Sequence, residues 1–152
     1  QFPYSFHYTR ENRRYLDQLC RELGELPRFL EFRNREWQRN SVHSHMRRLG
    51  VGYVITDLPR LNGLPESMLT TTTDAAYLRF HGRNSDTWWT GDNRSRYDYQ
   101  YSTEELGPWA TAVADLMTSV ALIMVAFNNH ANAQAVTNAR DFQRLLGLEP
   151  AS

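Results

Sequence analysis

The stretch AAYLRFHG, residues 75–82, decides how this chain is read. In an extended strand successive side chains point to opposite faces, so Leu78 and Phe80 share one side while Tyr77, Arg79 and His81 share the other. The charged side must point away from whatever helices cover the apolar one. Working outward, Pro27 opens RFLEF, a short β-rich run with the same division: Leu30 and Phe32 on one side, Glu31 and Arg33 on the other. VGYVIT, residues 51–56, is a further strand and ends at Asp57. VALIMVAF, residues 120–127, reads as a strand of the fully buried type and is followed by Asn128, Asn129 and His130. QFPYSF, residues 1–6, contains Pro3 and fits the end of a strand entering a loop.

Helical segments separate these strands. Tyr15, Leu16, Leu19 and Leu23 recur at helical spacing within residues 8–23, with Gly24 as the stop. Residues 36–49 return to helix before Gly50. Residues 102–117 open on the capping box Ser102 to Glu105, and residues 131–146 end at Gly147 and Pro150. One helix is missing: residues 58–73, rich in Pro, Gly and Thr, read as loop with at most a short turn. Residues 83–101 form a long loop.

Strands alternating with helices at this spacing predict an α/β fold with a parallel sheet and right-handed crossovers. About five strands point to the C-terminal part of a TIM-type (β/α)8 barrel, because 152 residues fall short of the roughly 250 of a complete one. The expected organisation is therefore a single partial domain, residues 1–152, lacking the N-terminal strands. A start at Gln1, with no methionine before Met46, fits an N-terminal part that precedes this sequence. An open doubly wound sheet is the alternative, but no Gly-rich phosphate turn follows any strand, which argues against a dinucleotide cofactor.

Composition narrows the classes further. Seventeen Lys and Arg balance seventeen Asp and Glu, so the chain lacks the overall basic field of a protein that grips duplex DNA by its phosphates. Cys20 is the only cysteine, which excludes an internal disulfide and a multi-cysteine zinc site, and a reducing, cytoplasmic setting is expected. No apolar run reaches the eighteen or so residues of a membrane span, and no signal peptide is visible.

The chemistry is expected at the C-terminal strand ends, where barrel enzymes place their sites. Arg33, Arg79 and Arg83 suit a phosphate or carboxylate, since guanidinium forks bind such groups bidentately. His81 with Glu31 or Asp57 is the best acid–base set: a histidine near neutrality exchanges a proton while a carboxylate orients it. Asn128, Asn129 and Tyr97 are further substrate-binding candidates. The bland alternative is a self-neutralising ion-pair layer built from Glu31, Arg33 and Arg79, with His81 holding a turn beside Gly82. A metal is not expected, since His43 and His45 lie two apart on a helix and face different ways. Trp88 and Trp89, with Tyr97, Tyr99 and Tyr101 beside Arg83, Arg94 and Arg96, are suited to stack bases or sugars, or to form a lid that packs on its own aromatics.

Taken in order, QFPYSF at 1–6, LEFRNREW at 30–37, Asp57, YLRFHGR at 77–83, RYDYQYSTEEL at 96–106 and FNNHANAQAVTNA at 127–139 resemble domain-of-unknown-function family seventy-two, also called the YecE-like family. The resemblance covers nearly the whole chain. It implies a TIM-type barrel whose first three strands would precede Gln1, and a missing helix after Asp57 as a shared trait. Asn34 departs from the family pattern, in which histidine is common, and offers no proton-transfer group there. The family carries no settled activity, and its likeness to sugar-phosphate isomerases and an apurinic-site endonuclease is one of fold.

Two functions are expected. One is an enzyme acting on a phosphorylated or otherwise anionic substrate, a sugar phosphate or nucleic-acid fragment, with the arginines as clamps. The other is a non-catalytic module that holds an anionic ligand or partner at the same place.

Overall fold

Four strands pair in the order in which they occur along the chain, all parallel. They are β1 (Phe29–Leu30), β2 (Gly52–Asp57), β3 (Ala75–Phe80) and β4 (Leu122–Phe127). The helices are α1 (Arg10–Glu22), α2 (Asn40–Arg48), the single turn α3 (Asn93–Arg96), α4 (Thr103–Leu116) and α5 (Gln134–Leu145), with 3-10 turns at Arg35–Trp37 and Ala131–Ala133. This computed structural model describes residues 1–148, so the predicted stop at Pro150 lies outside the described residues. No helix among them is long and apolar enough to cross a membrane.

Register assigns the faces. Ile55 pairs with Leu78, Leu78 with Val125, and Phe80 with Phe127, and all of these pack with α4 and α5. Leu30 pairs with Tyr53, and both pack with Leu16 and Cys20 of α1 and Val42 and Met46 of α2. The four long helices thus cover one face of the sheet. The opposite face carries Phe29, Val54, Thr56, Tyr77 and Arg79, the alternate positions. Gly52 is required low on this open face, because a Cβ there would collide with the Phe29 ring, which meets Tyr77 edge to face.

Local signals explain the ends. Thr9 caps α1, and Ser102 with Glu105 forms the expected capping box of α4. Gly50, at φ +61°, closes α2 in the left-handed region that an L side chain avoids. Residues 58–73 hold no helix, as expected.

Three expectations are corrected. The first strand shrinks to one bridge, Phe2 to Phe32, because Pro3 has no N–H with which to continue the ladder. Phe2 stays fixed through near-parallel stacking on Phe6 and Phe32, and Trp37 stacks on both of those rings while its indole N–H donates to Phe6 O at 2.7 Å. Each aromatic pair of this kind adds about 0.5–1.5 kcal/mol beyond its area. The last helix begins later than expected, since Asn132 and Ala133 take positive φ and break it from the preceding turn. Finally, β4 is half-exposed rather than buried, with Leu122 at 53%. Among the described residues it has a partner on one side only, and a groove of about 370 Å³ runs beside it between Val113, Ile123 and Phe142.

Candidate functional site

On the open face β1 and β3 bring four ionisable side chains together. Arg79 Nη1 donates to Glu31 Oε2 at 2.5 Å, and Arg33 Nε lies 2.5 Å from Glu31 Oε1. His81 Nε2 stands 3.2 Å from the same Oε1, and Arg33 Nη2 is 3.2 Å from His81 Nδ1. An arginine only donates, so His81 Nδ1 accepts and the ring proton belongs on Nε2, facing Glu31. Arg79 Nη1 also donates to Gln1 Oε1 at 3.0 Å. Glu31, Arg33 and His81 are buried, His81 completely, and Arg79 is the most accessible of the four.

The electrostatics set the charge states. Burial would raise the Glu31 carboxyl, but His81, Arg33 and Arg79 outweigh it and hold it at about 2. For His81 burial dominates and Glu31 only partly offsets it, so the imidazole is pushed down to about 4. At neutral pH one carboxylate therefore faces two guanidinium groups and a neutral imidazole. The pairing is close but poorly aligned: Glu31 Oε1, His81 Nε2, Arg33 Nε and Arg79 Nε are buried without an aligned hydrogen-bond partner. Buried groups left in that state are costly.

A roof of aromatics covers it. Tyr97, which follows α3, lies with its ring centroid 6.0 Å from that of His81, 5.8 Å from that of Trp88 and 5.4 Å from that of His130. Trp88 is buried on Leu58 and Leu64, and the Arg33 guanidinium carbon sits 5.8 Å from its ring. The long loop thus packs on its own aromatics, as one of the two expectations had it. Tyr4 and Trp89, 4.8 Å apart, remain exposed. His130, whose Nδ1 is bonded to Asn128 O at 2.9 Å, follows Asn128 and Asn129 beyond β4 and joins this aromatic group.

Asp57 is not part of this group. It pairs in register with Phe80, so its side chain falls on the helix-covered face, opposite Arg79 and His81. There its carboxylate accepts from Ser67 Oγ at 2.8 Å, from Arg83 Nε at 2.8 Å and Nη2 at 3.1 Å, and from the Tyr101 hydroxyl at 2.7 Å. Arg83 also reaches Glu105 at 3.1 Å, and Tyr99 donates to that carboxylate. Arg83 is thereby committed and does not join Arg33 and Arg79. Burial opposes its charge but Asp57 keeps it protonated, and burial followed by Asp57 pushes the Tyr101 hydroxyl up.

Asp57 does hold the strand end that bears His81. Its backbone oxygen accepts from His81 N at 3.0 Å, and Tyr101, bonded to its carboxylate, accepts from Gly82 N at 2.9 Å. Gly82 takes φ +86°, and a Cβ there would meet Tyr99 at 2.7 Å. Three consecutive residues, 81 to 83, are therefore gripped from one aspartate.

Asn128 continues the open face beyond Phe127 and makes no side-chain hydrogen bond among the described residues. Asn129 is completely buried and ties the strand end to the loop and α5 through Tyr99 O and Asn138 Oδ1, both at 2.8 Å. Asn34 accepts from Glu36 N at 2.9 Å and donates to Tyr4 O at 2.8 Å, an anchoring role. His43 packs on Tyr53 while His45 pairs with Asp17, so the two do part. Among the described residues no three His, Cys, Asp or Glu side chains converge to hold a metal ion.

Residues 1–152 match the family described as protein of unknown function DUF72. The chain is 31% identical to the UPF0759 protein YunF of Bacillus subtilis (strain 168), over 98% of this chain and 57% of that one. A DUF72 family protein from Thermotoga maritima MSB8, solved by crystallography, superposes with a TM-score of 0.92 at 40% identity, over 97% of this chain and 56% of its own. One from Enterococcus faecalis V583 gives 0.88 at 28% identity, over 100% and 60%. The chain thus spans a little over half the length of these relatives.

Proposed function

This chain belongs to the DUF72 family, and on that premise we propose that it binds an anionic substrate, through a phosphoryl or carboxylate group, on the open sheet face at Arg33 and Arg79. The observation that carries the proposal is the overloaded Glu31, one buried carboxylate against two guanidinium groups and a neutral histidine. An anion arriving at Arg79, the accessible member, supplies the missing negative charge and offers better-aligned acceptors to the two Nε–H groups.

The same reading includes a TIM-type barrel, supported by the parallel sequential strands with helices on one face and by the greater length of the relatives. The open face would be its interior and the strand ends its mouth. The buried, unpaired Cys20 fits a cytoplasmic setting.

Proton transfer follows from the tautomer. With the ring proton held toward Glu31, His81 Nδ1 is the basic atom, and Arg33 occupies it in the structure. When Arg33 turns to the anion, Nδ1 is released to take a proton from the substrate, and Glu31 stabilises the imidazolium that results. The occupied and fully buried state of His81 favours the second reading, an anion-binding module without turnover. Calorimetric titration with inorganic phosphate and with acetate, on wild type, Arg79→Ala and His81→Asn, separates them. Binding should be lost in Arg79→Ala and kept in His81→Asn, and equal binding by wild type and Arg79→Ala would return the cluster to a structural ion-pair layer. Turnover lost in His81→Asn with binding intact identifies the enzyme.

A further inference from the structure

The long loop carries one arginine that the fold leaves uncommitted. Arg83 is held by Asp57 and Glu105, and Arg94 donates to Asn132 at 3.2 Å. Arg96, the last residue of α3, makes no ion pair and no side-chain hydrogen bond among the described residues, and its Nε is buried without an acceptor. Its guanidinium carbon lies 6.0 Å from the Trp88 ring, the same ring that has Arg33 at 5.8 Å. The next residue, Tyr97, is the one that roofs His81.

We propose that Arg96 is a third guanidinium of the anion site and that the ligand is accordingly a dianion, the terminal phosphate of a monoester rather than a diester or a carboxylate. The inference rests on the anion-binding reading and sharpens it to a substrate class. Charge and hydrogen bonding agree on it. Among the described residues Glu31 is the only carboxylate within ion-pair distance of Arg33 or Arg79, and none is within that distance of Arg96. His81 is neutral at pH 7.5, so two positive charges stand without a counter-charge. A single negative charge leaves one partly buried guanidinium uncompensated, which costs free energy; a doubly charged group does not. Arg33, Arg79 and Arg96 each present a buried Nε–H without an aligned acceptor, and a monoester phosphate offers three equivalent acceptor oxygens. A carboxylate offers two.

Methyl phosphate and dimethyl phosphate, titrated at pH 7.5 into wild type, Arg96→Gln and Arg96→Lys, test the inference. They share their phosphoryl chemistry and differ in charge. Wild type should prefer the monoester by about tenfold or more. Arg96→Gln should reduce that preference to about threefold or less by weakening the monoester alone, and Arg96→Lys, which keeps the charge, should recover most of it. Equal affinity of wild type for the two esters, or an unchanged preference in Arg96→Gln, overturns the inference while leaving the anion site of Arg33 and Arg79 intact. If neither ester binds wild type, the phosphoryl form of that broader reading falls as well.

Discussion

The two faces of the sheet at the β2 and β3 ends use the same chemical vocabulary with opposite outcomes. On the helix-covered face Asp57 receives four aligned donors, from Ser67, Arg83 twice and Tyr101, and Arg83 is completed by Glu105. On the open face Glu31 is approached by Arg33, Arg79 and His81, yet one of its oxygens and both arginine Nε atoms remain unaligned. The two central carboxylates are equally buried, and each is met by arginine. The contrast shows that a buried charge cluster is judged by whether its hydrogen-bonding capacity closes on itself. A closed network adds to stability, and an open one leaves donors and acceptors over.

Measurements that attack this contrast differ in size. The largest effect belongs to Asp57→Asn, which replaces an acceptor of four donors with a group that presents its own N–H groups to them. Urea unfolding should show a loss of about 3 kcal/mol. A loss below about 1 kcal/mol would mean that the closed network contributes little and that the division between the faces is misplaced.

An intermediate effect is expected from pH. The folded value of His81, about 4, lies below the ordinary value of about 6.5, so the unfolded chain takes up that proton first as pH falls. The stability contributed by keeping the ring neutral is complete above about pH 6.5 and lost on the way down to about 4. Glu31, held at about 2, adds a further loss at lower pH, from its unfolded value near about 4.3 downward. Comparing unfolding at pH 7.5 and 4.5, His81→Gln should remove on the order of 2 kcal/mol from the acid-induced loss. Identical pH profiles for wild type and variant would show that His81 titrates normally.

Smallest of all is the stability change for Arg79→Met. Removing one of two arginines from an overloaded carboxylate should change unfolding free energy by less than about 1 kcal/mol. A change matching that of Asp57→Asn would make the open cluster as structural as the closed one.

The sequence carried the open cluster because AAYLRFHG and RFLEF alternate apolar and charged residues, so polarity itself labels the faces of Glu31, Arg33, Arg79 and His81. It misassigned Asp57 because the strand end was read by position alone, although Asp57 alternates with Tyr53 and Ile55 on the apolar side and only Thr56 marks the other. Pairing with β3, which sets Asp57 beside Phe80, fixes its side. The capping box at Ser102 was legible because caps are local, whereas the exposure of β4 depends on what lies beyond its free edge. Arg96 lies in a loop without periodicity, where sequence gives a side chain no direction.

Asn138 acts as a substitute peptide group. Its amide donates to Tyr101 O at 2.8 Å and accepts from Tyr101 N at 3.1 Å, pairing with that residue as a neighbouring strand would, and Asn129 fastens Tyr99 beside it. The exit of the long loop is thereby registered on α5, independently of the path the chain takes to reach it. Closing a longer loop between fixed ends costs only about 0.6 kcal/mol for each doubling of its length. The segment near Ser85 and Asp86 is therefore free to lengthen or change sequence while α4 and its cap stay in place, so the covering of the open face can diverge among relatives without renegotiating the sheet beneath it.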